Sequence, residues 1–389
     1  MRNRINDGMG ATCPYHLPKV DTRFSQLKIF RKMQKALIIG PNTDNIVKAQ
    51  KEPFFYNKKE ISKRLNLTVQ YINAETATEI EQASVNTKAD ILFLMFQWKE
   101  TPGVVESTLI NIRNSYLGSK RPKIIFIDPF AQSSTRFFNI LPYVDFFLKR
   151  QCLRDIDQYK EDFIGGSTMT DFIAKTWSYD FDGWHVGSCV PDEHKNRVIP
   201  GWNLGTAKKY KKLLTYPKIF RFRQKKNIDI FCRLSLGYKK NREWYCEYRI
   251  ASVKALEPLK NLYKLATSAL FLEDGLISKK QYLSEMKRSR IVFSPFGWGE
   301  NCWRDFEAIC YDCLLIKPDM SHLKTNPNIF IPGETYVPIK WDFSDLEEKC
   351  TYYLEHQNEA NRIIKNARFQ YRKYFTDCDF VNLIGQLIS

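Results

Sequence analysis

Two glycines separate segments of different character in the stretch Ser294-Pro295-Phe296-Gly297-Trp298-Gly299-Glu300-Asn301-Cys302-Trp303-Arg304-Asp305-Phe306-Glu307-Ala308. The apolar run Ile291–Phe293 before it predicts a strand, and Arg304–Cys310 predicts a helix. A further apolar run, Cys313–Ile316, predicts the next strand. The order of strand, glycine-rich turn, helix and strand is typical of a parallel α/β sheet, which binds ligands at the carboxyl ends of its strands.

The turn between this strand and this helix is a candidate phosphate site. Glycine lets the backbone approach a ligand closely, and the N-terminus of a helix offers unpaired N–H groups to an anion. A glycine-rich turn at such a junction is also common in proteins that bind nothing there. On the residues alone, a purely structural turn therefore stays open.

The whole stretch resembles the donor-binding segment of GT-B glycosyltransferases of the type called glycosyl transferases group 1. The resemblance rests on the glycine-rich turn, on Phe306-Glu307-Ala308 in the helix and on Pro318-Asp319 after the next strand, and it covers about residues 228–345. It implies a fold of class α/β, with two Rossmann-like domains facing across a cleft. It also implies a nucleotide-sugar donor, whose ribose Glu307 would bind and whose phosphates would lie near Gly297, Gly299 and Asn301, with Arg304 as an additional cation.

The start of the same region carries a second part of the resemblance. Asn227–Arg233 predicts a strand that ends in arginine, and a glycine-containing loop with lysines follows it. In the family, an arginine and a lysine at these places clamp the donor diphosphate, whose negative charge grows as it leaves. The resemblance makes Arg233 the first cation, and Lys239 and Lys240 are alternatives for the second. A basic surface turn after a strand is the structural alternative.

The catalytic groups are less well defined by the sequence. Retaining members of the family often carry two glutamates separated by seven residues, whereas Glu300 and Glu307 are separated by six. Glu300 stays a candidate catalytic residue, and the sequence leaves retention or inversion open. An inverting reaction needs a base from the first domain, for which Asp128 at the end of a strand and His16 are the candidates. A turn cap is the alternative for Asp128, and a structural role is the alternative for His16.

The family resemblance also implies that no metal is bound, because cationic side chains and the helix dipole stabilise the diphosphate. The sequence agrees with this expectation, since its Asp-x-Asp pairs, at 155–157 and 180–182, follow no convincing buried strand. We therefore expect no metal and no cofactor.

A chain of 389 residues predicts two domains, because single hydrophobic cores stop growing near 250–300 residues. Predicted strands alternate with helices from residue 35 onward, which indicates parallel sheets covered by helices. We predict a basic N-terminal segment, an acceptor-side Rossmann-like domain, a Rossmann-like domain that binds the nucleotide sugar, and a C-terminal helix that could return to the first domain, with the bounds 1–34, 35–205, 206–375 and 376–389.

The balance of 60 basic and 43 acidic residues gives a formal net charge of +17. Such a charge favours anionic lipid headgroups, phosphorylated substrates or nucleic acid, and no nucleic-acid-binding motif supports the last of these. The ten cysteines are spread widely and are expected to be reduced, as in a cytosol-like compartment. There is no signal peptide and no apolar run of 18 residues, so we expect a cytoplasmic protein with at most peripheral membrane contact.

These observations predict a metal-independent glycosyltransferase. It would move a sugar from a nucleotide-sugar donor to a glycan or a lipid-linked acceptor, in surface polysaccharide or lipopolysaccharide synthesis, at the inner face of the membrane. One alternative is another nucleotide-sugar enzyme such as an epimerase, although the first predicted strand lacks the Gly-x-Gly-x-x-Gly that this would need. A second alternative is a non-catalytic protein that binds nucleic acid or another polyanion. If the protein is a glycosyltransferase, we expect no nucleic acid as a partner.

Overall fold

Two parallel sheets organise the computed structural model, which describes residues 32–42, 45–116, 118, 120–216 and 224–389. The first sheet has the strand order β2-β1-β3-β4-β5-β7, and all of its neighbouring strands are parallel. The elements of this half are β1 Gln34–Gly40, α1 Asn45–Tyr56, α2 Lys58–Leu65, β2 Leu67–Asn73, α3 Ala77–Asn86, β3 Ile91–Leu94, α4 Pro102–Asn114, β4 Lys123–Ile127, β5 Phe146–Lys149, β6 Gln151–Leu153, α5 Thr168–Trp177, β7 Val198–Pro200 and α6 Lys208–Thr215.

The second sheet has the strand order β13-β11-β10-β8-β9 and is also parallel throughout. Its half of the chain contains β8 Ile228–Ser235, α7 Tyr245–Lys254, β9 Leu265–Leu270, α8 Lys279–Lys287, β10 Ser289–Phe293, α9 Trp303–Cys310, β11 Leu314–Pro318, β12 Leu323–Thr325, β13 Val337–Ile339, α10 Leu346–Glu355, α11 Gln357–Thr376 and α12 Asp379–Ile388. The predicted α/β class with two Rossmann-like domains is confirmed by these two sheets.

The central strands are apolar along their whole length because helices cover both faces of each sheet. Every residue of β3 is buried, as is nearly all of β4 and β11. A strand buried on both faces needs a continuous run of Ile, Leu, Val and Phe, rather than an alternation of apolar and polar residues. This is why the sequence predicts these strands well.

Some elements do not follow from local patterns. Helix α1 forms although Pro53 lies inside it. Strand β6 pairs antiparallel with β12 of the other half, a pairing that no local pattern indicates.

Residues Met33–Ser389 form one compact unit. The last helix, α12, packs Phe380 against Phe54 and Trp202, with ring centroids 5.0 and 4.9 Å apart, so it lies on the first half of the chain. None of the helices in the described parts of the chain is both long and apolar enough to cross a bilayer.

Candidate active site

The glycine-rich loop 294–302 leaves the carboxyl end of β10 and enters α9, as the sequence predicts. The first turn of α9 is already occupied by a carboxylate of this chain. Asp305 accepts a hydrogen bond from the backbone N–H of Cys302 at 2.9 Å and lies 3.3 Å from the ammonium group of Lys317. Both side chains are fully buried. The expectation that the amides at the helix start are open to a phosphate is therefore wrong in part, because Asp305 takes the first of them.

Two arginines lie against this loop from neighbouring elements. Arg249, on α7, donates to the backbone carbonyl of Ser235 at the end of β8 and stacks on the ring of Tyr245, 4.3 Å from its centroid. A Cβ atom added at Gly297 would collide with the guanidinium group of Arg249. The absence of a side chain at Gly297 therefore lets the guanidinium group lie directly against the loop backbone.

Arg304, in the first turn of α9, reaches back toward the end of β8. Its guanidinium group donates to the backbone carbonyl of Arg233 at 3.3 Å and to the hydroxyl of Ser294 at 3.2 Å. It also lies near the Arg249 guanidinium, and the pKa of Arg249 is lowered by burial first and then by the positive charge of Arg304. The two guanidinium groups are therefore neighbours beside the glycine-rich loop.

Neither of these arginines has a carboxylate partner. Within the described residues, no ion pair joins Arg249 or Arg304 to an aspartate or glutamate, although both are only partly exposed. Their fixed hydrogen bonds go to carbonyls, a hydroxyl and a thiol, so neither arginine forms a salt bridge in the described part of the chain, although the Ser294 hydroxyl joins Arg304 to the buried Asp305. Two adjacent, partly buried cations without a salt-bridge partner are a suitable site for a polyvalent anion.

The cations of the predicted diphosphate clamp, by contrast, do have carboxylate partners. Arg233 makes two hydrogen bonds to Glu285, at 2.9 and 3.1 Å, and Lys239 pairs with Asp274 at 2.5 Å. Lys240 is exposed. Carboxylates of this chain already neutralise Arg233 and Lys239. The cation without a carboxylate partner among the described residues is Arg249 instead of the predicted Arg233. What Arg233 supplies to the site is its backbone carbonyl, which positions Arg304.

Glu307 lies on α9 about one turn after Arg304, and its side chain is mostly buried. Its carboxylate accepts hydrogen bonds from Lys209 at 2.9 Å and from the hydroxyl of Tyr282 at 3.3 Å. The ammonium group of Lys209 lies 4.4 Å above the ring of Trp303, so the pair is held from two sides. This geometry fixes the direction of the Glu307 carboxylate; its predicted contact with a ribose stays a prediction.

The far end of the loop docks onto the first half of the chain. The Glu300 carboxylate is fully buried and accepts hydrogen bonds from the backbone N–H of Ser133 and from the side-chain amide of Gln151, at 3.1 and 2.8 Å. Asn301 donates to the same Gln151 at 2.6 Å. A Cβ atom at Gly299 would collide with the backbone carbonyl of Ala131. Residues 299–301 therefore form an interface with the first half of the chain, which we call the seam.

The placement of Glu300 corrects the prediction that it acts on the sugar. A carboxylate with no exposed surface, held by three donor contacts, cannot reach a substrate without the seam opening. The sequence could not show this, because Ser133 and Gln151 lie 167 and 149 residues away along the chain.

Replacing Glu300 with glutamine is expected to lower the free energy of unfolding by about 1–3 kcal/mol, because both carboxylate oxygens accept from donors and the NH2 group of glutamine would face one of these donors. Urea denaturation measures this change. The matched control is Glu334→Gln, at an exposed glutamate, which is expected to leave stability unchanged. A Glu300→Gln variant with full stability and lost turnover would instead restore the catalytic assignment.

Asp128 is also placed differently from its prediction. It follows β4 as expected, but its carboxylate is fully buried against the ammonium group of Lys149 at 2.5 Å and the hydroxyl of Thr135 at 2.8 Å. Burial raises the pKa of Asp128, and the charge of Lys149 opposes that rise. A base must contact the acceptor, so a carboxylate enclosed in this way is structural in this structure. His16, the other predicted base, lies outside the described residues.

Sequence reasoning missed Arg249. The available signal is the spacing of Tyr245 and Arg249 by four positions, which places both on one face of a helix. Nothing local shows that this face meets the glycine-rich loop. In the described parts of the chain, no group of three or more His, Cys, Asp and Glu side chains is arranged to hold a metal ion.

A family model described as "Glycosyl transferase-like" matches residues 249–379. This range begins at Arg249 and includes the glycine-rich loop, Arg304 and Glu307, whereas Arg233 lies outside it. The predicted resemblance to glycosyltransferases is confirmed by this match. Over these residues the chain is similar to glycosyltransferases, and the match lies in the half of the chain that carries the second sheet. A comparison with curated protein sequences finds no match.

Several solved structures are similar to this chain at low sequence identity. A glycosyltransferase from Rickettsia africae is 9% identical, with 91% of this chain and 99% of that chain covered and a TM-score of 0.47. An E. coli protein bound with UDP-2-fluoro glucose is 10% identical, with 91% and 99% covered and a TM-score of 0.47. MnaA from S. aureus with UDP is 10% identical, with 89% and 97% covered and a TM-score of 0.43. Nothing about a ligand of this chain follows from similarity at this level.

Proposed function

We propose that this protein is a glycosyltransferase that takes its sugar from a nucleoside diphosphate sugar, with the diphosphate bound by Arg249 and Arg304. The observation that carries the proposal is the pair of partly buried guanidinium groups without a carboxylate partner beside Gly297. A diphosphate offers two adjacent negative groups, which match two adjacent cations. The family match over residues 249–379 supports the same chemistry.

The two arginines have a direct part in the reaction on this proposal. When the bond between the sugar and the diphosphate breaks, negative charge accumulates on the leaving phosphate oxygens. Fixed guanidinium groups stabilise that charge without having to reorganise, which lowers the barrier more than it strengthens ground-state binding. Because the arginines provide this charge themselves, we propose that the reaction needs no metal ion.

The remaining donor contacts are assigned by position. Glu307, held by Lys209 and Tyr282, is proposed to accept hydrogen bonds from the ribose hydroxyls, since it lies on the helix that follows the phosphate loop. The acceptor is proposed to be a glycan or a lipid-linked glycan. The net charge of +17 would favour approach to an anionic membrane surface or a phosphorylated acceptor.

Thermal unfolding with a panel of nucleotides tests the donor proposal. One of UDP, GDP, CMP, dTDP and ADP is expected to raise the unfolding midpoint by several degrees, and the rise should persist in EDTA. A ligand present at about 100 times its Kd stabilises the folded state by about 2.7 kcal/mol. A shift that disappears in EDTA would contradict metal independence. If no nucleotide shifts the midpoint while RNA binds tightly, the donor site is wrong and the chain is a polyanion-binding protein.

A further inference from the structure

A tryptophan with half of its surface exposed stands beside the glycine-rich loop and has no role in the donor site. Trp98 follows β3, at the carboxyl edge of the first sheet, and 52% of its surface is accessible. Its indole lies 6.1 Å from that of Trp298 in the loop, at an interplanar angle of 51°. Other aromatic side chains of this chain are as exposed, but Trp98 follows a strand at the carboxyl edge of a parallel sheet, where such sheets bind ligands.

The backbone that carries Trp98 is held in place. The carbonyl of Trp98 accepts a hydrogen bond from Arg136 at 2.8 Å, and the N–H of Glu100 closes a turn onto the carbonyl of Gln97 at 3.1 Å. The side chain of Gln97 donates to the carbonyl of Glu75 at 2.7 Å. The exposed indole is therefore presented by an ordered turn, which reduces the entropy lost when a ligand binds.

The other indole of the pair is fixed by a cluster of aromatic side chains. Trp298 lies 6.0 Å from both Trp184 and Trp244 and 6.4 Å from Tyr245, measured between ring centroids. Tyr245 is the residue on which the Arg249 guanidinium stacks. A chain of ring contacts thus joins the proposed diphosphate site to Trp98, a residue of the first half that contacts a loop of the second.

We propose that Trp98 and Trp298 form the acceptor platform, on which a pyranose ring of a neutral glycan stacks beside the donor. This inference rests on the proposed function. One face of a pyranose carries C–H groups and is apolar, while its hydroxyls point outward from the ring edge. Such a ring matches a flat indole surface that is open at its sides, and the attacking hydroxyl would then be directed toward the loop that holds the donor.

The surroundings of Trp98 favour a neutral sugar over a stacked nucleobase. Binding of a single-stranded nucleic acid combines aromatic stacking with a positively charged groove along the backbone. Next to Trp98, the charge of Lys99 is followed by that of Glu100. The guanidinium of Arg136 lies 5.3 Å from the ring centroid of Phe130, and one of its nitrogens donates to the Trp98 carbonyl.

Titration calorimetry with neutral trisaccharides tests the platform, using maltotriose, cellotriose, chitotriose and mannotriose as probes. At least one is expected to bind the wild-type protein, and Trp98→Ala should weaken that binding by about tenfold or more, the loss typical of a central aromatic contact. Trp98→Phe keeps a flat ring and should retain most of the affinity. Phe369→Ala, at an aromatic residue on α11 that is 65% exposed, is the matched control and should change nothing.

Three outcomes would overturn the platform. They are the absence of binding by all four trisaccharides at tens of millimolar, unchanged binding by Trp98→Ala, and Trp98-dependent binding of a uridylate octamer in place of the sugars. The nucleotide-induced rise in the unfolding midpoint should be the same in Trp98→Ala as in the wild-type protein. If no nucleotide raised the midpoint of the wild-type protein, the donor proposal would be overturned. Failure of the donor proposal and failure of the platform are therefore distinguishable.

Discussion

Arg249→Gln is expected to weaken the binding of the preferred nucleoside diphosphate by about a hundredfold, which corresponds to about 2.7 kcal/mol. The guanidinium group of Arg249 is fixed between the ring of Tyr245 and the backbone of Gly297, and no carboxylate among the described residues neutralises it. A charge-assisted contact to a phosphate in such a place is among the stronger interactions in a binding site. Glutamine keeps a hydrogen-bond donor but removes the charge. Calorimetric titration of the nucleotide measures the difference.

The matched control for this variant is Arg242→Gln. Arg242 precedes α7, is about half exposed and already pairs with Glu247, so its loss should leave nucleotide affinity within about twofold. The folded state of Arg249→Gln should be at least as stable as the wild type without ligand, because the variant removes an unpaired, partly buried charge. Equal loss of affinity in both variants would show a general effect of net charge. Wild-type affinity in Arg249→Gln would remove this residue from the site.

Lys149→Met is expected to lower the free energy of unfolding by about 3–5 kcal/mol, the cost of leaving a buried charge without its partner. The ammonium group of Lys149 lies 2.5 Å from the carboxylate of Asp128, and neither side chain has exposed surface. It also donates to the backbone carbonyls of Gln132 and Ser134, each at 2.8 Å. All three acceptors would lose their donor in the variant. Denaturation in urea measures the change.

Two further variants separate the ion pair from other effects of the substitution. Adding Asp128→Asn to Lys149→Met removes the stranded charge and should recover part of the lost stability. Lys160→Met, at a partly exposed lysine that pairs with the exposed Asp192, is expected to change stability by at most about 1 kcal/mol. If Asp128→Asn alone left stability unchanged but abolished sugar transfer, Asp128 would be the catalytic base after all.

Around the glycine-rich loop, the local sequence is enough to predict the secondary structure. The strand before it, the helix after it and the position of Glu307 on that helix follow from patterns within about 20 residues, and the structure has all of them. A close approach to the backbone at Gly297 was also predicted, but of a different group. The sequence suggested close approach of a ligand, and the structure shows close approach of Arg249.

The charged residues were harder to assign because their partners lie far away along the chain. Arg233 ends a strand as the family resemblance suggests, yet Glu285, 52 residues later, neutralises it. Glu300 sits in the predicted site loop, yet its carboxylate is enclosed by Ser133 and Gln151 of the other half. Whether a cation is available to a ligand depends on which carboxylates pack near it. No sequence spacing encodes that.

The sequence by itself determined the α/β class, the two parallel sheets and the loop around which the proposed site is built. Those features depend on hydrophobic periodicity and on glycine, which act over a few residues and leave a readable pattern. Only the tertiary structure decided that Arg233 and Lys239 form salt bridges whereas Arg249 and Arg304 form none within the described residues, and that Trp98 lies beside Trp298. These are contacts between elements distant in sequence. They are selected by the packing of the whole molecule, because the energy of a charge or an aromatic ring depends on everything that surrounds it in space.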